Sequence, residues 1–264
     1  MMTTPSIKVG IAGVGAIGSA VAKALNEGIK GFSLECVSDP KITTDFGVVN
    51  TDFATLTNRC DLVIECLPAN IVPQLALAAF SANTDIIFIS TAALLTYQQI
   101  LEQLGKSNSR AYVPSGALCG IDGVLAMKEM GINSAQIAST KPPKGFGGAP
   151  YVTLNNIGLS NISKKTLIFE GNALEAAKGF PANVNVAATL SLAGIGAQNT
   201  RVEIWADPNA KGNMHEITVK SDYSTLTSKI ENMPDPSNPK SSILAAQSIV
   251  ATLRNMSSAL VISQ

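Results

Sequence analysis

The chain has 264 residues, 46% of them hydrophobic, enough for one large domain or two modest ones and too apolar for a disordered chain. Its 19 basic and 19 acidic residues cancel, so it lacks the basic footprint that nucleic acid or an anionic membrane surface requires. A small molecule is the expected partner.

Residues 1–6 are short and polar and lead straight into a strand, without the apolar core of a signal peptide, and no apolar run approaches the length of a membrane span. The expected location is the cytoplasm. Cys36, Cys60, Cys66 and Cys119 form no CxxC pair and accompany a single histidine, so they read as buried thiols in a reducing compartment, and no metal site is expected.

Ile7 to Ala12 is an apolar run that breaks at Gly13 and gives way to a helical pattern over Ala16 to Leu25. A second run, Phe32 to Val37, ends at Ser38-Asp39-Pro40. The alternation continues with a strand over Leu62 to Cys66, a helix over Val72 to Phe80, a strand over Ile86 to Ser90, a helix over Tyr97 to Leu104 and a strand over Ala111 to Val113. Strands alternating with helices predict a doubly wound parallel sheet in a domain spanning residues 1–114.

Within that domain Gly13-Val14-Gly15-Ala16-Ile17-Gly18 is a G-x-G-x-x-G sequence. It follows a strand, opens a helix and is succeeded by Asp39 at the end of the second strand, which is the full context of a Rossmann dinucleotide site. Gly13 permits the turn, Gly15 lets the pyrophosphate approach, Gly18 allows helix and strand to pack, and the helix start at Ala16 and Ile17 supplies N–H groups. Asp39 is expected on the ribose hydroxyls, which favours NAD, while Lys41 two residues on leaves NADP open; the alternative for Asp39 is a plain turn residue before Pro40. Because such sheets bind ligands beyond their carboxyl ends, Cys66, Leu67 and Pro68, and likewise Ser90-Thr91-Ala92, are expected beside the cofactor or else as ordinary loops.

After Pro114 the texture changes, and residues 115–240 are predicted to form a second, α+β catalytic and dimerisation domain. Arg201 to Ala206, Met214 to Lys220 and Thr225 to Glu231 read as an antiparallel meander. The proline-rich segment 234–239 reads as a loop, and a helix from Ser241 to Asn255, capped by Ser241 or Ser242, is expected to pack back on the first domain as part of segment 241–264.

Several segments of the second domain are too unusual for connectors: PSGALCGID from Pro114, TKPP from Thr140, FPANVNVAA from Phe180, ADP from Ala206, N-M-H-E-I from Asn213, and ENMP with NPKSS from Glu231 to Ser242. Together they resemble the L-aspartate dehydrogenase family along nearly the whole chain. The resemblance implies a Rossmann domain joined to a catalytic domain whose sheet helps form a homodimer. It implies oxidative deamination of L-aspartate through iminosuccinate to oxaloacetate and ammonia, or the reverse, with NAD or NADP. The family's catalytic histidine falls on His215, and its nicotinamide-side contacts fall on Ala117 and Asn185.

The residues themselves point the same way. His215 is the only imidazole, the one side chain whose ordinary pKa lies near neutrality, and amine oxidation needs a group that takes and returns a proton. Strand alternation sets it on the inward face with Ile217 and Val219; a satisfied core histidine is the bland alternative. Asn185, opening a helical run to Leu192, could orient the nicotinamide carboxamide or merely pack. A dicarboxylate substrate needs cationic donors, for which Lys141, Lys144 and Lys240 are candidates against a background of solvated lysines, and Gly145, Gly147 and Gly148 suggest a mobile flap.

Two other readings stand beside this one. A different nicotinamide-dependent dehydrogenase of the same build would show paired histidines with a lysine, as in dihydrodipicolinate reductase, or an acidic residue before Lys-Pro, as in sugar oxidoreductases; here there is one histidine, and Thr140 precedes Lys141. A non-catalytic dinucleotide-sensing dimer would need no inward base.

Overall fold

The computed structural model describes residues 6–233 and 242–262. The described chain divides into two compact units. One holds the chain through Ser90, Tyr97–Pro114 and the stretch from Ala245, and the other holds Thr91–Thr96 and Ser115–Leu244.

The first unit runs β1 (Ile7–Ala12), α1 (Ala16–Gly28), β2 (Phe32–Ser38), β3 (Val49–Asn50), α2 (Phe53–Arg59), β4 (Leu62–Glu65), α3 (Val72–Ala82) and β5 (Asp85–Phe88). The short helix α4 (Ala92–Thr96) belongs to the second unit, and α5 (Gln99–Leu104) and β6 (Ala111–Tyr112) return to the first. All six strands are parallel in the order β3-β2-β1-β4-β5-β6, the doubly wound order whose switch point lies between β1 and β4.

Local chemistry explains these elements. The helix α1 buries Gly18, Val21, Ala22 and Leu25, the spacing of a single helical face. The Thr55 N–H donates to Asp52 at the start of α2, and α3 ends at Asn83 in a left-handed conformation. Val9, Ile11, Ile64 and Ile87 fill the core with Val21 and Leu25, and Ile249, Val250 and Leu253 from α10 (Ile243–Met256) pack into the same cluster. Burying each such side chain is worth roughly 1.5–3 kcal/mol. The Ser242 hydroxyl before α10 donates to Asn232, and Ser241 and the 234–239 segment lie outside the described residues.

The second unit contains α6 (Ile121–Met130), β7 (Ser134–Lys141), α7 (Pro150–Leu154), β8 (Thr166–Asn172), α8 (Ala173–Gly179), α9 (Asn185–Ala193), β9 (Thr200–Ala206), β10 (Asn213–Lys220) and β11 (Thr225–Asn232). Its sheet order is β11-β10-β7-β9-β8, with β7 and β9 parallel and the other pairs antiparallel. The expected meander is therefore incorrect: β10 and β11 form a hairpin, but β7 lies between β9 and β10. Strand spacing along the chain reveals turns, not which long-range partner enters between two strands. Ile137, Val202, Ile204, Ile217 and Val219 line the buried face, against which α8 and α9 pack.

One further expectation fails. The cysteines are free, but only Cys36 and Cys60 are buried; Cys66 is half-buried and Cys119 exposed, because it sits in a loop along the β11 edge with its Sγ 2.7 Å from Ser228 Oγ. In the glycine-rich segment after Lys141, Pro143–Phe146 is a 3₁₀ turn whose Phe146 ring is wholly buried, edge-on to Phe180 at 6.1 Å, while Gly145, Gly147 and Gly148 are exposed.

Candidate active site

The turn after β1 is built as its glycines require. Gly13 has φ +85°, and a Cβ there would meet the Cys66 carbonyl oxygen; a Cβ on Gly18 would meet the Gly13 carbonyl. Among the described residues nothing lies within 4 Å of where a Gly15 Cβ would point, and Gly15 itself is exposed. The Gly15 side of the turn is thus a cradle that a side chain would fill, and the half-buried Ala16 and Ile17 open α1 without a side-chain cap, leaving N–H donors for an anion. Those features fit a dinucleotide pyrophosphate.

Asp39 lies at the same edge, one residue beyond β2, where its Oδ2 accepts the Val14 N–H at 2.8 Å and its Oδ1 accepts the Lys41 N–H at 2.7 Å. Each carboxylate oxygen keeps a further lone pair for a ribose hydroxyl. Lys41 is exposed. Beyond β4, Cys66 and Leu67 are half-buried and Pro68 is exposed, and burial pushes the Cys66 thiol well above its ordinary range, so it stays a neutral thiol.

In the second unit, His215 and Lys141 share the buried face of the sheet. His215 is opposite Ser139 in the β10–β7 register, and Lys141 follows Ser139 by two, so both project to the same side. His215 is 3% exposed, with Nδ1 2.9 Å from Ser139 Oγ. Burial first, and the neighbouring Lys141 charge second, lower its pKa to about 3. The imidazole is on the inward face as expected, but its titration is far from neutrality, because a dry site beside a cation penalises imidazolium.

Lys141 is 9% exposed, and among the described residues its Nζ reaches only Asn183, at 3.2 Å to Oδ1 and 3.4 Å to the carbonyl oxygen. Burial lowers its pKa to about 8. Among the described residues no carboxylate pairs with it. Buried ammonium groups are ordinarily paired, so this one is poised for an anion.

Asn185 is half-buried at the start of α9. Its Oδ1 accepts the Ala92 N–H at 3.1 Å and its carbonyl accepts the Thr91 hydroxyl at 2.7 Å, so it fastens α4. Its amide N–H₂ has no partner among the described residues. Ala117 is buried before α6, and its carbonyl accepts Asn232 Nδ2 at 3.4 Å; Asn232 pairs with Asn213, two residues from His215. Lys144 is exposed with no partner among the described residues, and Lys240 lies outside them. Ser139 and Asn183 were missed by sequence reasoning. Strand alternation from His215 flags Ser139 only once the β7–β10 pairing is known.

A parallel sheet of this order with an open Gly15 cradle, joined in one chain to a buried lysine–histidine pair, defines a nicotinamide-dinucleotide-dependent dehydrogenase. Residues 13–114 match the family described as Homoserine dehydrogenase, NAD binding domain, and residues 122–256 match Aspartate dehydrogenase, C-terminal. The chain is 41% identical to L-aspartate dehydrogenase 3 of Bordetella bronchiseptica, covering 97% of each chain, and 40% identical to L-aspartate dehydrogenase of Methanosarcina mazei, covering 95% and 97%. It superposes on the crystal structure of aspartate dehydrogenase from Thermotoga maritima with TM-score 0.79 and 29% identity, covering 97% of this chain and 99% of that one. The chain belongs to the L-aspartate dehydrogenase family.

Proposed function

We propose that the chain catalyses NAD(P)-dependent oxidative deamination of L-aspartate through iminosuccinate to oxaloacetate and ammonia, or the reverse. The observation that carries this reading is the buried Lys141 ammonium, without a carboxylate partner among the described residues, beside the buried neutral His215.

The glycine turn and Asp39 hold the dinucleotide, which when bound supplies a hydride acceptor for the substrate Cα–H. Lys141 takes a substrate carboxylate, completing its ion pair in a site that strengthens it. The incoming negative charge lifts His215 from its low pKa, turning a poor base into a competent one. His215 then removes a proton from the substrate ammonium, releases it to solvent, takes a second from the water that attacks the imine carbon and returns that one to the departing amino nitrogen. For Nε2 to be the basic nitrogen, Nδ1–H must donate to Ser139 Oγ, a tautomer the hydroxyl accommodates because it can accept as well as donate. Ala117 and Asn185, whose amide N–H₂ has no partner among the described residues, are assigned to the nicotinamide side, and Lys144 and Lys240 to a supporting role in drawing a dicarboxylate.

The test is a panel of amino acids with both oxidised cofactors. L-aspartate should exceed L-alanine by at least about 10³ in kcat/KM, since alanine lacks the second carboxylate that a dicarboxylate site is built to pair. Comparable rates for alanine would refute the aspartate reading.

The same reading takes the chain as a cytoplasmic homodimer, in keeping with four free thiols and with the sheet face of the second unit away from α8 and α9, where Gln136, Ala138, Trp205 and Thr218 are only half-buried. Sedimentation at micromolar concentration should give twice the chain mass, and Ala138→Arg should halve it; a monomer in both cases would refute the dimer.

A further inference from the structure

Glu65, the last residue of β4, is a fully buried carboxylate that the proposed chemistry does not use. In register it lies between Ala12, the end of β1, and Phe88, the end of β5. Its Oε1 accepts the Leu67 N–H at 2.6 Å, and its Oε2 accepts the Ser90 N–H at 2.9 Å and the Ile89 N–H at 3.2 Å. The Ser90 hydroxyl donates to the Leu67 carbonyl at 2.8 Å, lacing the same two loops directly.

Among the described residues the donors to Glu65 thus come from the chain just beyond β4 or β5: the backbone amides of Leu67, Ile89 and Ser90, joined by the Ser90 side chain. The β4 loop is also the one packed on the cofactor turn, since the Cys66 carbonyl is what a Cβ on Gly13 would strike. Desolvating a carboxylate costs several kcal/mol unless strong hydrogen bonds offset it, and a buried alanine or leucine at this strand position would avoid that cost. Three converging N–H donors offset part of that cost, while burial still raises the Glu65 pKa above its ordinary value. They also define the loops' shape, because one carboxylate holds both ends of a gap that no strand pairing spans.

We propose that Glu65 is a positioning residue for the dinucleotide: its carboxylate fixes the β4 and β5 loops so that the Gly13 turn presents its amides in the binding geometry. The inference rests on the reading of this edge as the cofactor site. Preorganisation of this kind acts on affinity, because loops already held in the bound shape lose less freedom on binding.

Glu65→Gln keeps the shape but offers one acceptor and two donors, so an N–H₂ faces either the Leu67 N–H or the Ile89 and Ser90 pair, and one loop is released. NADH titration by fluorescence should show Kd raised roughly tenfold, about the worth of one hydrogen bond to a charged group. KM for the dinucleotide should rise with it, while KM for L-aspartate stays near the wild-type value. Ser90→Ala, which removes only the hydroxyl tie, should raise Kd about two- to threefold, a fraction of a hydrogen bond's worth. A carboxylate serving stability alone would lower the melting temperature and leave the Kd of the folded protein unchanged, which overturns the proposal. Should Glu65→Gln not fold, an unshifted Kd in Ser90→Ala overturns it equally. A wild-type chain that binds no dinucleotide overturns the functional reading and this inference with it, whereas tight wild-type binding with an unshifted Glu65→Gln overturns the inference alone.

Discussion

His215→Ala tests two properties in one variant: the pH dependence of stability reports whether the imidazole is buried and neutral, and kcat reports whether it acts as a base. At neutral pH the variant loses a buried ring and strands the Ser139 hydroxyl, which should cost about 2–4 kcal/mol of stability. The folded imidazole has its pKa lowered to about 3, against an ordinary value near 6.5. Below pH 6.5 the unfolded chain binds a proton that the folded chain refuses, so this residue's contribution to stability falls as pH falls, by about 1.4 kcal/mol per pH unit and on the order of 5 kcal/mol in all. The variant lacks that slope. Urea unfolding of both proteins at pH 7.5, 6.5, 5.5 and 4.5 should therefore show the stability gap narrowing on acidification, with the carboxylate titrations common to both chains cancelling. At pH 7.5 kcat for L-aspartate should drop by about 10² to 10⁴ in the folded variant, the usual worth of a general base. A gap that stays constant down to pH 4.5 would refute a buried neutral imidazole, and near-normal kcat would refute its role as base.

Three further outcomes test the other parts of the site. Gly15→Ala should leave the melting temperature almost unchanged, because no described residue lies within 4 Å of the new methyl, yet raise Kd for NADH about tenfold by filling the cradle; equal affinity would mean that the dinucleotide does not cross Gly15. Asp39→Ser should lower the NAD:NADP ratio of kcat/KM roughly tenfold, as a ribose acceptor and a charge repelling the 2′-phosphate vanish together; an unchanged ratio would turn the carboxylate away from the ribose. With Lys141 lowered to about 8 by burial, kcat/KM for L-aspartate should fall as pH rises through 8, since the free enzyme loses the cation that takes the carboxylate; Lys141→Met should abolish that limb and raise KM, and a limb that survives the substitution would belong to another group.

Much of this protein is local in its sequence. The G-x-G-x-x-G turn at Gly13–Gly18, the apolar runs that became β1, β2, β4 and β5, and the helical face of α1 are set by periodicity and by glycine, whose conformational needs are intrinsic to each residue. Strand alternation also assigned the inward face of His215 correctly. The two-residue strand β3 and the short helices α2 and α4 escaped, because segments so short leave almost no periodic signal. What required the tertiary structure was anything decided by distant partners. Insertion of β7 beside β10 is what brings Ser139 and Lys141 to His215, and burial is what takes the histidine from a neutral-range titration to about 3. A carboxylate in mid-sequence such as Glu65 likewise gives no hint of its place, since only the folded sheet aligns the ends of β4 and β5 around it. Dihedral preference acts within a few residues of chain, whereas desolvation and pairing depend on what the whole fold brings near, so the sequence carries the elements and the fold sets their chemistry.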